Sequence, residues 1–288
     1  MSNLTYDVKD KALSMGADLV GIASVDRYEH APIEGQPQYY MPDAKAVVVI
    51  ATRILEGICD VHGSYEEEGK TIIPYFWHGY SQLNWANSWI AIQVGKLLEN
   101  NGYRAIPFPP AGMYYRDAEH SIPEFYHKHS AVAAGLGEFG HSTLLLTPQF
   151  GAHQRLISLI TSAPLQADPM YSGPKLCRRD ECGDFCMKAC SLQAIGDKVF
   201  TGKIGDKIFE YAMFNSARCM FQSIGGRYMR GKTRFSERPT DAELEKYRRE
   251  FNAQSRGKRM NHYDAALSLH TFGPACGECL TKCPAPFK

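Results

Sequence analysis

The residues in this sequence with the clearest chemical signature are its cysteines. Nine are present, and all but Cys59 lie between Cys177 and Cys283. The first run reads Cys177-x4-Cys182-x3-Cys186-x3-Cys190, and the second consists of Cys219, a long gap, and Cys276-x2-Cys279-x3-Cys283-Pro284. A C-x2-C-x3-C-P ending is typical of bacterial ferredoxins, in which thiolates hold the irons of a cubane. The spacing therefore predicts two [4Fe–4S] clusters.

In ferredoxins of this kind, the last cysteine of each run binds the cluster held by the other run. That rule predicts one cluster on Cys177, Cys182, Cys186 and Cys283, and the other on Cys190, Cys219, Cys276 and Cys279. The alternative is a pair of four-thiolate zinc sites, which usually read as two C-x2-C knuckles. The first run is looser than the usual pattern, and Ser191 stands where proline is expected. Cys59 is predicted to be a small buried apolar residue.

Alternating helices and strands must position these cysteines. Helices are predicted over 4–15, 81–101 and 123–134, and strands over 17–25, 46–52, 103–108, 143–146 and 156–161. This order predicts an α+β fold, with an α/β sandwich over residues 1–168 and a cysteine-rich domain over 169–288. A charged insertion at about 225–262 interrupts the second domain and is predicted to hold a helix over 241–254, capped by Thr240. The insertion is interpreted as a solvated surface helix; a lid or a docking surface is the alternative.

Composition places few limits on function. The net charge is +1, so bulk charge gives no argument for binding nucleic acid or a membrane. Apolar residues make up 44% and charged residues 22%, as in ordinary globular proteins. No run is long enough to span a bilayer and no signal peptide is visible, so the expected location is the cytoplasm.

Two further segments carry a family resemblance. The segment 129–140 (HSAVAAGLGEFG), followed by 144–151 (LLLTPQFG) and Arg155, resembles the core of corrinoid-dependent reductive dehalogenases and of the wider group that includes epoxyqueuosine reductases. The segment 162–168 (SAPLQAD) and the two cysteine runs follow in the same order. The resemblance implies a nitroreductase-like α/β sandwich that holds base-off cobalamin, and a C-terminal ferredoxin-like module with two [4Fe–4S] clusters that supplies electrons.

The resemblance also implies site residues. Glycines suit the close approach of backbone to a large planar ligand, although a helix end followed by a turn would use them too. The predicted cofactor-binding residues are Gly135, Leu136, Gly137, Phe139, Gly140, His141 and Leu144. Dehalogenases of this family use a tyrosine assisted by a cation as proton donor, which implies Tyr114, Tyr115 and Arg155 as catalytic residues.

Some positions depart from the family patterns. Asp60 and His62 begin a D-x-H-x-x-G corrinoid motif, but Tyr65 replaces its glycine, so His62 is expected in an exposed loop. Ser121 stands near the place of an acidic residue in epoxyqueuosine reductases, and the chain ends five residues after Cys283, where those enzymes continue into a tRNA-binding region.

The preferred hypothesis is a cobalamin-dependent reductase of a small organic substrate, fed by a low-potential donor such as ferredoxin or flavodoxin. Reduction of epoxyqueuosine in tRNA is the second hypothesis, and nucleic acid is the less favoured partner. The third is an electron-transfer protein, either without an organic cofactor or with flavin. A homodimer is left open.

Overall fold

A computed structural model describes residues 3–63, 67–110, 115–117, 122–223, 240, 242–246 and 276–286. Its centre is a four-stranded sheet of β1 (Leu19–Ser24), β2 (Ala46–Arg53), β8 (Gln154–Thr161) and β3 (Ala105–Pro107), in the order β1-β2-β8-β3. Every neighbouring pair is antiparallel. The mixed α/β fold predicted from the sequence is thus confirmed, whereas the ferredoxin-like character of the C-terminal part stays a prediction.

Helices and loops cover both faces of the sheet. On one face α1 (Leu4–Ser14) and α4 (Leu83–Asn100) pack against Val48, Ile50 and Ile157. On the other, α5 (His127–Ala133) packs with Phe108 and Phe125 against the alternate strand residues. The first seven residues of β2 are therefore all buried, which explains why the run AVVVIAT carries no polar alternation.

The remaining elements are shorter. Helices α2 (Pro37–Tyr40) and α3 (Glu56–Val61) lie before a π-helical segment, Tyr75–Gln82, that continues directly into α4. The small strand pairs are β4 (Tyr115–Asp117) with β5 (Ile122–Pro123), and β6 (Glu138–Phe139) with β7 (Leu145–Leu146). Among the described residues, no helix combines the length and apolar character needed to cross a bilayer.

The cysteine-bearing part contains α6 (Arg179–Cys182), α7 (Phe185–Ala189), a hairpin of β9 (Ile195–Ile204) and β10 (Lys207–Phe214), α8 (Ser216–Ser223), and α9 (Glu278–Thr281). Residues 242–246 are also helical, and Thr240 caps them as predicted: its Oγ1 accepts from the Glu243 N–H at 3.3 Å, and the Glu243 carboxylate accepts from the Thr240 N–H at 2.8 Å. Most of the charged insertion lies outside the described residues.

Gly151 joins the sheet to the segment after the last cysteine. Its φ is +54°, and a Cβ at this position would stand 1.7 Å from the carbonyl oxygen of Ala285. We expect Gly151→Ala to lower the free energy of unfolding by at least about 1–3 kcal/mol, because two backbones must separate and the left-handed conformation disfavours alanine. Urea denaturation measures the change. Gly57→Ala is the matched control: nothing lies within 4 Å of its Cβ position in α3, so this change should be neutral or stabilising. Equal midpoints for the two variants would contradict the packing argument.

Candidate functional site

The structure gathers four cysteines from distant parts of the chain into a first group: Cys177, Cys182, Cys186 and Cys283. Burial, and then the neighbouring thiols of Cys283, Cys177 and Cys182, raise the pKa of Cys186 to about 11. Burial raises the pKa of Cys283 to about 11, and the thiols of Cys177 and Cys182 add to the increase. A hydrogen bond from the Ala285 backbone opposes it. These four residues are the set that the interlocked spacing rule predicts for one cluster.

The second group consists of Cys190, Cys219, Cys276 and Cys279. Burial, followed by Cys219, Cys276 and Cys190, raises the pKa of the Cys279 thiol well above its usual value. Burial is also the main cause that raises the pKa of Cys276 to about 12, and Cys219 and Cys190 add to it. Cys186 of the first group also acts on Cys279, so the two groups are neighbours.

All nine cysteines are free thiols. Within the described ranges, no three His, Cys, Asp or Glu side chains stand close enough to hold a single metal ion. The thiolates of a cubane each bind a different iron, so they stand farther apart than the ligands of one ion. Binding of iron by these two groups stays a prediction.

Glu138, from the AGLGEFG segment, fixes the start of the first cysteine run. Its Oε1 accepts from the backbone N–H groups of Leu176 at 2.6 Å and Cys177 at 3.2 Å. The His141 N–H points at the Cys177 sulfur, 3.2 Å away. Backbone N–H groups directed at cysteine sulfurs are one means by which proteins set the potential of an iron–sulfur cluster.

The glycines of this segment have a packing role. A Cβ on Gly135, whose φ is +77°, would stand 2.1 Å from the Pro169 oxygen, and one on Gly137 would stand 1.9 Å from the Leu146 oxygen. A Cβ on Gly140 would stand 3.1 Å from the Leu146 side chain. The chain's own atoms therefore occupy the Cβ side of each of these glycines, which gives the glycines a packing reason whether or not a cofactor lies on their other side.

The other predicted cofactor residues are spread around the same loop. Leu136 and Phe139 pack with the core beside α5, and Leu144 packs beside Leu146. Gly137, Phe139 and His141 border an open cavity of about 1020 Å³ between this loop, Cys177 and the β9–β10 hairpin. Contact of this loop with a cofactor stays a prediction.

Arg155, which is predicted to be catalytic, lies near the start of β8. At this point β3 does not extend far enough to pair with that edge of β8. The β3 register covers Leu159–Thr161 only, and Phe108 adds one bond to the Ser158 oxygen. The Arg155 Nε donates to the Asn84 Oδ1 at 3.0 Å, and its guanidinium lies 4.3 Å from the centre of the Tyr80 ring. Asn84 and Tyr80 therefore hold the cation in one orientation.

His127 and Lys128, from α5, lie near Arg155. The His127 Nε2 lies 2.7 Å from the Pro109 oxygen, so it must carry the proton, and Nδ1 accepts from the Ser158 hydroxyl at 3.0 Å. Burial lowers the pKa of His127 to about 4. Burial also lowers the pKa of Lys128, and the neighbouring Cys279 and Cys219 partly offset that decrease. Both side chains are partly exposed, as are Arg155 and Tyr80, so all four border space that solvent reaches. We call the space bordered by Arg155, Tyr80, His127 and Lys128 the arginine recess.

Tyr75 connects this recess with the second cysteine group. It is 3% exposed, and a Cβ on Gly277, between Cys276 and Cys279, would stand 2.3 Å from its ring. Burial raises the pKa of Tyr75, while Arg155 lowers it and Cys279 raises it. One buried ring thus stands within electrostatic reach of both Arg155 and the second cysteine group.

The π-helical segment explains how Tyr75 and Tyr80 come to serve one site. Hydrogen bonds from i to i+5 bring residues five apart onto the same face, whereas in an α-helix they diverge. The Ser81 hydroxyl donates to the Phe76 oxygen five residues before it, at 3.0 Å. The run YFWHGY gives no periodic signal for such a turn, and sequence reasoning did not find Tyr75, Tyr80 or Asn84.

The remaining predicted residues fall elsewhere. Tyr114 lies outside the described residues. Only the backbone of Tyr115 is described, and in β4 it pairs with Pro123 of β5. Pro123 precedes His127 by four residues. The expectation of an exposed His62 is wrong. His62 is fully buried: its Nδ1 lies 3.0 Å from the Thr281 hydroxyl, and its ring stands edge-on to Tyr75 at 4.6 Å.

No protein-family model and no curated protein sequence matches this chain. Solved structures do match it. An epoxyqueuosine reductase bound to an epoxyqueuosine-modified tRNA-Tyr stem loop is 18% identical, with a TM-score of 0.55 over 98% of this chain and 64% of the other. The epoxyqueuosine reductase of Streptococcus thermophilus is 19% identical, with a TM-score of 0.52 over 98% and 66%.

A B12-dependent reductive dehalogenase is 20% identical, with a TM-score of 0.53 over 96% of this chain and 37% of the other. The chain thus spans less than two thirds of the epoxyqueuosine reductases and just over a third of the dehalogenase. These neighbours belong to the two groups that the sequence resembles, and at this identity they establish a shared fold.

Proposed function

We propose that this chain, which has the fold shared by those two groups of enzymes, is a cobalamin-dependent iron–sulfur reductase of a small organic substrate. The observation that carries the proposal is the arrangement of three parts in contact. The arginine recess adjoins Tyr75, Tyr75 packs on the loop between Cys276 and Cys279, and the second cysteine group adjoins the first.

The two cysteine groups fit [4Fe–4S] clusters by the chemistry of their donors. Burial and neighbouring thiols raise the pKa of Cys186 in the first group and of Cys279 in the second, so these thiols resist ionisation unless a cationic iron core compensates for the negative charge. The Ala194 N–H directed at the Cys190 sulfur at 3.1 Å matches the N–H donor at Cys177. Both groups therefore have thiolate donors and backbone donors that support them.

We place base-off cobalamin in the arginine recess because a fixed cation and partly exposed polar side chains border it, whereas backbone atoms of the chain pack against Gly135 and Gly137. Ser158 and Pro109 engage both nitrogens of His127, so this histidine is not free to bind cobalt. When bound, the clusters would supply single electrons at low potential, down to about −700 mV, and the corrinoid a strongly reducing cobalt centre.

The protein's own part in the reaction is to orient the substrate, exclude water and deliver a proton. A neutral tyrosine beside a fixed cation can give up its proton because the cation stabilises the phenolate. Tyr75 and Tyr80 are described tyrosines beside Arg155, and Tyr114 and Tyr115 remain candidates. The bond from His127 to the Pro109 oxygen holds Pro109 beside α5.

Epoxyqueuosine reduction in tRNA is the alternative, and the match to a tRNA-bound reductase over 98% of this chain favours it. The net charge of +1 favours a small substrate, because nucleic-acid binders usually present a basic face. Nucleoside analysis of tRNA incubated with the reduced protein separates the two: loss of epoxyqueuosine would establish the alternative.

The deciding experiment is anaerobic purification, followed by iron and sulfide analysis and a spectral titration with cobalamin. We expect two cubanes per chain, a bound corrinoid spectrum, and turnover of small organic acceptors, halides included, with reduced ferredoxin or flavodoxin. Zinc at the cysteines, or no retention of cobalamin, would refute the proposal.

Tyr75 provides a further test of this arrangement. Once the clusters are loaded, we expect Tyr75→Ala to raise the reduction potential of the second cluster, because water entering from the recess stabilises its more negative reduced form. Tyr75→Phe keeps the ring and should leave the potential near that of the unmodified protein. Redox titration followed by electron paramagnetic resonance measures both. If the alanine and phenylalanine variants share one potential, Tyr75 does not separate the recess from the cluster.

A further inference from the structure

Two buried polar side chains in the otherwise apolar layer between α4 and the sheet lack a partner. Asn87 is 0% exposed, and neither its Oδ1 nor its Nδ2 has a hydrogen-bond partner in the described part of the chain. Thr52 is 3% exposed, and its Oγ1 is also unpartnered there. Toward the middle of the sheet, this face continues with apolar residues, among them Ile50, Ile90 and Ile157.

The register of the strands and the course of α4 place both residues next to Arg155 and its partner Asn84. Thr52 is the cross-strand partner of Arg155 in the pairing of β2 with β8. Helix α4 runs alongside β8, since Asn84 contacts Arg155 and a Cβ on Gly95 would lie 3.6 Å from the Leu159 side chain. Asn87 follows Asn84 by one helical turn on the buried face, so it lies just inward of the Arg155–Asn84 bond.

Keeping these groups without a partner is unfavourable for the folded protein. A buried amide that has lost water without gaining a hydrogen bond carries the full cost of its desolvation, whereas an apolar side chain of the same shape would not. A buried polar group that breaks this rule calls for an explanation, such as a functional role or a bound water. Here both groups neighbour Arg155 and Asn84, and Arg155 borders the arginine recess.

We propose that Asn87 and Thr52 form a polar subsite at the inner end of the arginine recess, which binds a primary amide or hydroxyl group of the ligand held there. An asparagine amide both donates and accepts, so it can pair with another amide through two hydrogen bonds. The threonine hydroxyl can form a third hydrogen bond with the same ligand group. The corrinoid of the proposed function, on which this inference rests, carries primary amides around its rim and therefore has the required groups.

Asn87→Leu is the test, because leucine has nearly the shape of asparagine and no polar atom. Spectral titration of the iron-loaded protein with cobalamin should show affinity reduced about tenfold or more, equivalent to about 1.4 kcal/mol. The thermal midpoint of the cobalamin-free variant should be unchanged or higher, since an unsatisfied group has been removed. A residue needed only for structure would instead lower the midpoint and leave affinity unchanged.

Thr52→Val repeats the test with a second shape-preserving change, so the proposal remains testable if Asn87→Leu fails to fold. Asn100→Leu, at the exposed end of α4, is the matched control and should bind cobalamin normally. Normal affinity in both Asn87→Leu and Thr52→Val would overturn the subsite alone and indicate an internal water instead. Failure of the unmodified protein to bind cobalamin would refute the proposed function, and the subsite with it.

Discussion

Replacing Cys279 by alanine is expected to remove one of two iron–sulfur clusters and nearly all reductase activity. Cys279 lies in the second cysteine group, beside Tyr75 and the arginine recess, so the cluster it holds would be the last before the substrate. Loss of one of the four thiolates leaves one iron without its protein ligand, which destabilises the cubane. Iron should fall from about eight to about four atoms per chain, with the signal of the first cluster retained, as measured by iron analysis and electron paramagnetic resonance.

Cys59→Ala is the control for this change. Cys59 is 5% exposed and packs among apolar residues beside Ile54 and Tyr75, where burial is the first of several causes raising its pKa. Iron content and activity should therefore stay unchanged, with only a small loss of stability. If Cys279→Ala kept all its iron, or if Cys59→Ala lost any, the division of the cysteines into two groups of four would be incorrect.

The grouping of the cysteines could be predicted from sequence because spacing alone restricts it. A C-x2-C-x3-C run closes a tight loop, and the interlocked rule then assigns the distant partner, so Cys283 was placed with Cys177 and Cys190 with Cys276. The structure brings together the same sets. The buried strand β2 can be predicted for a similar reason, since six consecutive apolar residues followed by Thr52 fit a strand covered on both faces.

The wall of the arginine recess could not be predicted in this way. Arg155 was identified by resemblance, but its partners Asn84 and Tyr80 are more than seventy residues earlier, and only the folded chain brings them together. Nothing in a 3.6-residue period reveals a π-helical segment. The AGLGEFG glycines show a second limit of sequence, because a close approach to backbone has the same sequence signature whether the approaching group belongs to a ligand or to the chain itself.

The β9–β10 hairpin was missed although a signal was present. Gly205, with φ +54°, and Asp206 form a two-residue turn between segments of alternating pattern. The alternation is hard to recognise because Val199, Phe200 and Ile208 are apolar and yet exposed, whereas apolar residues of a strand usually face the core. Burial, which the sequence does not encode locally, decides how such a pattern should be interpreted.

Arg155→Gln is expected to reduce kcat by about 10²–10³-fold, the usual effect of removing one fixed group that stabilises developing negative charge. The arginine is held by Asn84 and Tyr80, so its charge is already oriented when substrate arrives. Glutamine keeps much of the side chain's length and polarity but not its charge. Iron content and cluster potentials should not change, because Arg155 does not belong to either cysteine group. Steady-state kinetics with excess reduced donor, alongside redox titration, measures both properties.

Two comparisons separate the charge of Arg155 from its geometry. Arg155→Lys keeps the charge but loses the planar contact with Tyr80, so it should recover only part of the activity. Arg53→Gln makes the same substitution at the exposed end of β2, where Arg53 pairs with Asp18, and should leave kcat unaltered. A glutamine variant at position 155 with normal kcat would exclude Arg155 from the reaction and move the search for the cation to Lys128, which borders the same recess and lies within electrostatic reach of Cys279.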